Sequence, residues 1–291
     1  MFAGLISKLK EVANLGDFIR ASRKLAEFVD GQDSDSFFDT LQQIGTIPES
    51  IHHDSSEEKL FSKASDVVLS RAFREVGLQS TVLSERADSA DVIAESQIYG
   101  YTLVADAKAF RMSRTAKNQK DFKVTALSGW RKDNDYAVLC SPYFQYPNKS
   151  SQIYAQAILE NICLLSWEHL LFMMRNGIKE SEDVDLSQLW NYSSVYSETC
   201  TIANRKANFT ENLDAEMIRI TGLKTRRFHE YLSQQINILK KRGDTEKDYW
   251  INEIEKIKQY TREQAIEELI RAKKIGGKIV QIDSYIKGLK F

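Results

Sequence analysis

Three residues of this 291-residue chain combine type and spacing in a way that suggests chemistry: Asp91, Asp106 and Lys108. Asp91 opens one short strand-like run, Asp91–Ser96, and the other two lie inside a second, Tyr101–Phe110, with Gly100 in the gap. If the runs form a hairpin that pairs Ser96 with Tyr101, the same register pairs Asp91 with Asp106. Directly opposed residues hold their Cβ atoms ~4.5–5.5 Å apart, and like charges so placed destabilise a sheet. Lys108, two residues beyond Asp106, projects from the same face. A hard dication with oxygen ligands would offset the repulsion, and magnesium suits one or two carboxylates with phosphate oxygens and water. The backbone carbonyl of Ala107 is a candidate further ligand. An ion held there would polarise a phosphate and help generate hydroxide from water. Lys108 would orient or deprotonate that water and offset charge in the transition state. An Asp-x-Lys triplet on a strand also occurs as a solvated ion-pair face. Here Leu103, Val104 and Ala105 precede it and Phe110 follows, so the charges interrupt an otherwise apolar strand.

A basic segment follows at once. From Arg111 to Lys132 there are seven basic residues, including Arg114, Lys117, Lys120 and Lys123, against the single acid Asp121. Hydroxyls and amides, among them Ser113, Thr115, Asn118 and Gln119, are interleaved. Lys and Arg neutralise nucleic-acid phosphates, and Asn and Gln read adenine edges. A solvated basic loop is the plainer alternative. A second window, Arg219–Arg242, holds seven basic residues against Glu230 and reads equally as a backbone clamp or a helix surface. Glu58 could reach an ion from the preceding helix, but its place three residues after Ser55 reads as a capping box. Trp130, Trp167, Trp190 and Trp250 read as core residues.

The surrounding elements must position these groups. The first thirty residues read as helix, with a turn at Asp30–Asp35. A second helix starts at Ser55 and carries Leu60, Phe61, Ala64, Val67, Val68 and Phe73 at helical spacing to Gly77. After the hairpin come a helix at Val124–Lys132, a strand at Tyr136–Ser141, a helix through Ile153–Leu159, a strand at Ile162–Trp167 and helix again at Leu170–Met174. Beyond about Asn204 the pattern is helical, with a capping box at Thr261 and Gln264. That layout predicts an α/β fold, a mixed sheet flanked by helices with helical N-terminal and C-terminal additions. The expected divisions are 1–50, 51–200 and 201–291, packed as one integrated domain.

Composition excludes several classes. The formal net charge of −1 means that any basic surface is local. Three cysteines at irregular spacing and four scattered histidines fit neither a disulfide framework nor a zinc site. A reduced, cytoplasmic setting is expected. Lys8, Lys10 and Glu11 break any signal-peptide core, and no apolar run approaches the ~18 residues that a membrane span needs.

Longer strings carry a resemblance. EKLFSKASDVVLSRAF, DVIAES, LVADAKAF and RTAKNQKDFKVTALSGW, then DYAVL, YFQYP, LLSWEHL, TREQAIEELI and IDSYIKGLK, together resemble the HindIII family of type II restriction endonucleases. The resemblance covers roughly residues 40–290 in order; the first forty match poorly. It implies the PD-(D/E)xK nuclease fold and a homodimer that makes magnesium-dependent cuts in double-stranded DNA within AAGCTT, leaving 5′-phosphates. It also implies a cognate DNA methyltransferase that protects the host genome. In that pattern Asp91 is the first acid, Asp106 the second and Lys108 the lysine. The Asn118–Asp121 segment would approach the bases, with Lys120 and Asp121 close to the scissile phosphate. One departure is Ser84, where the family pattern has glutamate, with Glu85 beside it. A cleavage-deficient DNA-binding protein and a structure-selective nuclease of the same fold are the alternatives, though Asp91, Asp106 and Lys108 are all present.

Overall fold

The computed structural model describes residues 2–83, 89–114, 119–148, 151–200 and 208–288, with only the backbone described at Gln119 and Gly288. Their contacts divide the chain into two units, residues 1–240 and residues 241–291.

The first unit opens with α1 (Phe2–Ala13), α2 (Phe18–Asp30) and α3 (Ser34–Gln43). The single helix expected over the first thirty residues is two helices, because Gly16 takes φ +68° and Asp17 caps the second through Arg20 N–H. The expected turn at Asp30–Asp35 is shorter than predicted, since Asp33 caps α3 by accepting from Ser36 N–H. α4 (Ser56–Glu75) follows, with Ser55 accepting from Glu58 N–H; this is half of the expected capping box, since the Glu58 carboxylate accepts from Asp54 N–H instead of Ser55 N–H. Every residue of α4 from Ala64 to Phe73 is buried, so this helix is enclosed on all sides.

α4 packs on a five-stranded sheet: β1 (Gln79–Val82), β2 (Val92–Glu95), β3 (Thr102–Ala107), β4 (Tyr136–Ser141) and β5 (Ile162–Ser166), in that spatial order. β1, β2 and β3 pair antiparallel; β3, β4 and β5 pair parallel. The sheet is mixed, as expected, but β1 was not anticipated; QSTV lacks the apolar alternation that marks a strand. α5 (Gln119–Phe122) and α6 (Val124–Arg131) lie between β3 and β4, and α7 (Gln152–Glu160) links β4 to β5. α8 (Trp167–Arg175), α9 (Ser187–Trp190), α10 (Tyr192–Thr199), α11 (Phe209–Thr221) and the first half of α12 (Thr225–Lys258) complete the unit. Trp167 and Trp190 are core residues and Trp130 is half-buried. Cys140 and Cys163 are buried and reduced.

The second unit contains the rest of α12, α13 (Arg262–Ala272) and α14 (Ile275–Gly288). Thr261 and Gln264 form the expected capping box. Trp250, expected in the core, is 49% exposed. Among the described residues, no helix is long and apolar enough to cross a membrane.

Candidate active site

The hairpin register is the one expected from the spacing of Asp91 and Asp106. Val92 pairs with Ala105 and Glu95 with Thr102, and the ladder extends at its closed end through Ser96 N–H to Tyr101 O at 2.9 Å. Carried one step beyond Val92 and Ala105, it sets Asp91 opposite Asp106. The two carboxyl groups lie close enough for each to act on the other's charge. Burial raises the Asp91 pKa above the usual carboxylate range, and the Asp106 charge raises it further; Lys63 and Lys108 oppose both.

Asp106 is 2% exposed in the middle strand, and the Lys108 ammonium lies against its Oδ2. The contact is close enough for an ion pair but lacks hydrogen-bond geometry, leaving Oδ2 buried without a hydrogen bond. Lys108 offsets the charge of this oxygen but leaves its hydrogen-bonding capacity unused, and a buried acceptor in that state is costly. Lys108 is fixed by its backbone: its N–H donates to Cys140 O at 2.7 Å, and its carbonyl accepts from Trp167 Nε1 at 2.9 Å. The Trp167 ring is seated against Gly45, where a Cβ would fall 2.7 Å from its Cδ1. Nothing in the structure assigns a role to the Ala107 carbonyl.

A third acid, Asp66 of α4, was missed. It is 5% exposed, its charge bears on both Asp91 and Asp106, and Lys63 lies 3.5 Å from its Oδ2. Burial holds its pKa well above the ordinary value, with the Asp91 charge acting in the same direction. One signal could have found it: Asp66 stands inside the apolar run Ala64–Phe73, where an acid is expensive without a purpose.

Glu58 is engaged elsewhere. Its carboxylate accepts from Arg111 at 2.7 Å and from Asp54 N–H at 2.8 Å, and lies 2.9 Å from His53 Nδ1. His53, Asp54 and Glu58 have potential ligand atoms within 4.8 Å of one another. Two of the three are exposed and the third holds Arg111, so Asp91 and Asp106 remain the better-built pair for an ion.

Several cations of the basic segment are held internally. Arg111 also donates to Pro48 O at 2.9 Å, and Arg131 to Glu160 O at 3.0 Å. Arg114, 46% exposed, pairs with Asp121 at 2.5 Å, and the Lys123 ammonium lies over the Trp130 ring. Lys120 is exposed; Lys117 and Asn118 lie outside the described residues, as do Ser84 and Glu85. In the second basic window, Arg219, Arg226 and Arg242 pair with Glu216, Glu230 and Glu246 along their own helices. That is the pattern of a helix surface.

Comparison with known proteins decides the family. The family described as HindIII restriction endonuclease matches residues 5–286. The chain belongs to the HindIII restriction endonuclease family. It is a type II site-specific deoxyribonuclease, an enzyme that hydrolyses phosphodiester bonds in DNA. The type II restriction enzyme HindIII of Haemophilus influenzae is 41% identical over 286 residues, covering 98% of this chain and 95% of that one. Among solved structures, the restriction endonuclease FokI is similar at a TM-score of 0.37 and 13% identity, over 53% of this chain and 30% of that one. FokI is too distant a match to add to the fold described above.

Proposed function

We propose that the chain acts as a magnesium-dependent homodimer that cuts both strands of DNA within AAGCTT and leaves 5′-phosphates, with a cognate DNA methyltransferase guarding the host genome. Asp91 and Asp106 would hold the ion, aided by the Ala107 carbonyl. The support is the pair of carboxylates that the hairpin register sets opposite each other, one of them buried with an oxygen that makes no hydrogen bond and has Lys108 beside it. Such a pair suits a hard dication that prefers oxygen ligands. Magnesium bound there would supply Lewis-acid polarisation of the phosphate and a lower pKa for the attacking water.

The protein's own groups do the rest. Lys108, held through its N–H and carbonyl, presents an ammonium beside Asp106 that would orient the attacking water and offset phosphate charge. Asp66 and Lys63 adjust the field behind the pair without joining it. Arg114, Lys117, Asn118, Lys120, Asp121 and Lys123 would meet the DNA. The Arg114–Asp121 contact would then have to open or reorganise as phosphate arrives.

The test is digestion of a sequenced plasmid carrying one AAGCTT, with magnesium, and mapping of the ends. Cuts at that hexamer with 5′-phosphates are expected. Cutting elsewhere would discard the site assignment, and full cutting in the presence of a chelator would discard the dication.

A further inference from the structure

A second buried polar network lies in the core, where neither the hairpin nor the basic segment uses it. Ser166 ends β5 and caps α8, accepting from His169 N–H at 3.1 Å. The His169 ring closes the other half of the capping box, Nδ1 accepting from Ser166 N–H at 3.1 Å. That donor fixes the tautomer. Nδ1 carries no hydrogen, so Nε2 carries it and donates to Asp214 Oδ1 at 2.7 Å. Asp214, on α11, accepts from Tyr143 OH through its other oxygen at 2.6 Å. The far side of the imidazole is stacked on Phe228 of α12. Ser166, His169 and Asp214 are the residue types of a hydrolytic triad, but Ser166 is 0% and His169 1% exposed, so no substrate reaches them.

What the network holds is the first turn of α8. An ordinary capping box uses Glu or Gln in the place of His169 and closes within its own turn. Here the ring also ties that turn to Asp214, 45 residues along the chain. Each of these buried groups is costly to leave unpaired, so the turn has one favoured position. Its first residue is Trp167, whose Nε1–H donates to the Lys108 carbonyl. Its second, Glu168, accepts from Tyr143 N–H at 2.9 Å. Tyr143 is thus held at its backbone by Glu168 and at its hydroxyl by Asp214, and Pro142 before it borders Gly45 together with Trp167. A shift of this turn would draw the indole off the Lys108 carbonyl and move the ammonium that lies beside Asp106.

We propose that His169 and Asp214 are positioning residues for phosphodiester hydrolysis: they lock the turn that carries Trp167 and so set the place of Lys108, while touching neither DNA nor ion. This rests on the role given to Lys108 above. The test is single-turnover cutting of plasmid DNA with magnesium by His169→Leu, Trp167→Phe and the double variant, beside DNA binding without metal. His169→Leu removes both polar links of the ring, and Trp167→Phe removes only the indole N–H. Each should slow cutting about 10-fold with DNA affinity little changed, since a misplacement of ~1 Å caused far from the chemistry can cost up to ~100-fold. The double variant should be within about 2-fold of the slower single one, because both changes act along one path. His169→Gln should regain most of the rate, its amide oxygen accepting from Ser166 N–H and its amide N–H donating to Asp214. Full rate in His169→Leu, losses that multiply in the double variant, or equal loss of rate and DNA affinity would overturn the positioning role. Asp214→Asn, which keeps the size of the side chain, enters the same cycle if His169→Leu does not fold. Nitrogen NMR of the unmodified chain adds a reading that needs no variant: His169 should carry its hydrogen on Nε2, and a hydrogen on Nδ1 would overturn the network. Lys108→Ala, run alongside, separates the two readings. Full cutting by Lys108→Ala removes the lysine from the chemistry, whereas loss there and none in His169→Leu removes the network alone.

Discussion

The two ends of the β2–β3 hairpin are built by opposite rules. At the closed end, Ser96 Oγ and Tyr101 OH both donate to the buried carboxylate of Glu180, and Trp190 Nε1 donates to Tyr101 OH at 2.8 Å. Gly77, at φ +101°, keeps the chain beside Glu180 free of a Cβ that would lie 3.1 Å from its N atom. All of these polar groups have partners. At the open end, four residues of ladder away, two carboxylates face each other and one buried oxygen has no hydrogen bond. A one-residue slip would send the side chains of one strand to the opposite face. The satisfied end therefore fixes the register that the unsatisfied end, left to itself, would oppose. The proposed catalytic groups lie at the end where the fold leaves a buried acceptor without a hydrogen bond.

The largest effect should come from removing the unsatisfied end. Asp106→Asn and Lys108→Ala should each lower the cutting rate by about 10³-fold or more, on the order of 4 kcal/mol of transition-state stabilisation. Single-turnover plasmid cleavage would measure it, with circular dichroism confirming the fold. A variant that keeps a tenth of the wild-type rate would remove that residue from the chemistry.

Disabling the closed end should first cost stability. Glu180→Ala leaves the buried Ser96 and Tyr101 hydroxyls without their acceptor, a loss of about 2–4 kcal/mol. Urea unfolding should show it, and Glu180→Gln should restore part of it because an amide oxygen still accepts. If Glu180→Ala unfolds at the wild-type midpoint, the register is held by something else.

A subtler break uses Gly45. A methyl there would meet the Trp167 ring and Pro142 Cγ at 2.7 and 2.8 Å, and the Trp167 indole must give way. Overpacking of this kind costs about 1–3 kcal/mol. Because that indole holds the Lys108 carbonyl, Gly45→Ala should also slow cutting by about 10-fold with the apparent affinity for DNA little changed. Equal loss in both quantities would mean general disruption rather than displacement of Lys108.

How much of this was legible in the residues depends on the kind of signal. The hairpin register followed from Gly100 and the spacing of Asp91 and Asp106, because strand pairing obeys a fixed arithmetic. β4 and the Thr261 cap were equally plain, the first as an apolar run and the second as a local hydrogen-bond pattern. Asp66 was hidden because a helical apolar face is read by its hydrophobic members, and the acid within it draws no notice until burial is known. Glu180 was hidden for a different reason. Its partners are 84 and 79 residues away, and no local pattern marks a long-range acceptor. The internal pairing of Arg111 and Arg114 reduced the basic segment in the same way, since a run of charges says nothing of which side chains already have partners.

The smallest effect should carry the opposite sign. Asp91→Asn keeps the shape of the side chain but replaces a carboxylate with a neutral amide that can donate to Asp106. The like-charge opposition then disappears, and the metal-free protein should gain about 1 kcal/mol, the scale of a cross-strand pair, or a few degrees in melting temperature. Magnesium should raise the melting temperature of the wild type, since a ligand that binds only the folded state stabilises it. In Asp91→Asn the metal-free value should already be higher and the response to magnesium largely gone. Both readings come from the same pair of thermal scans. If the variant melts below the wild type without metal, the open end carries no repulsion to relieve, and the contrast with the Glu180 end fails.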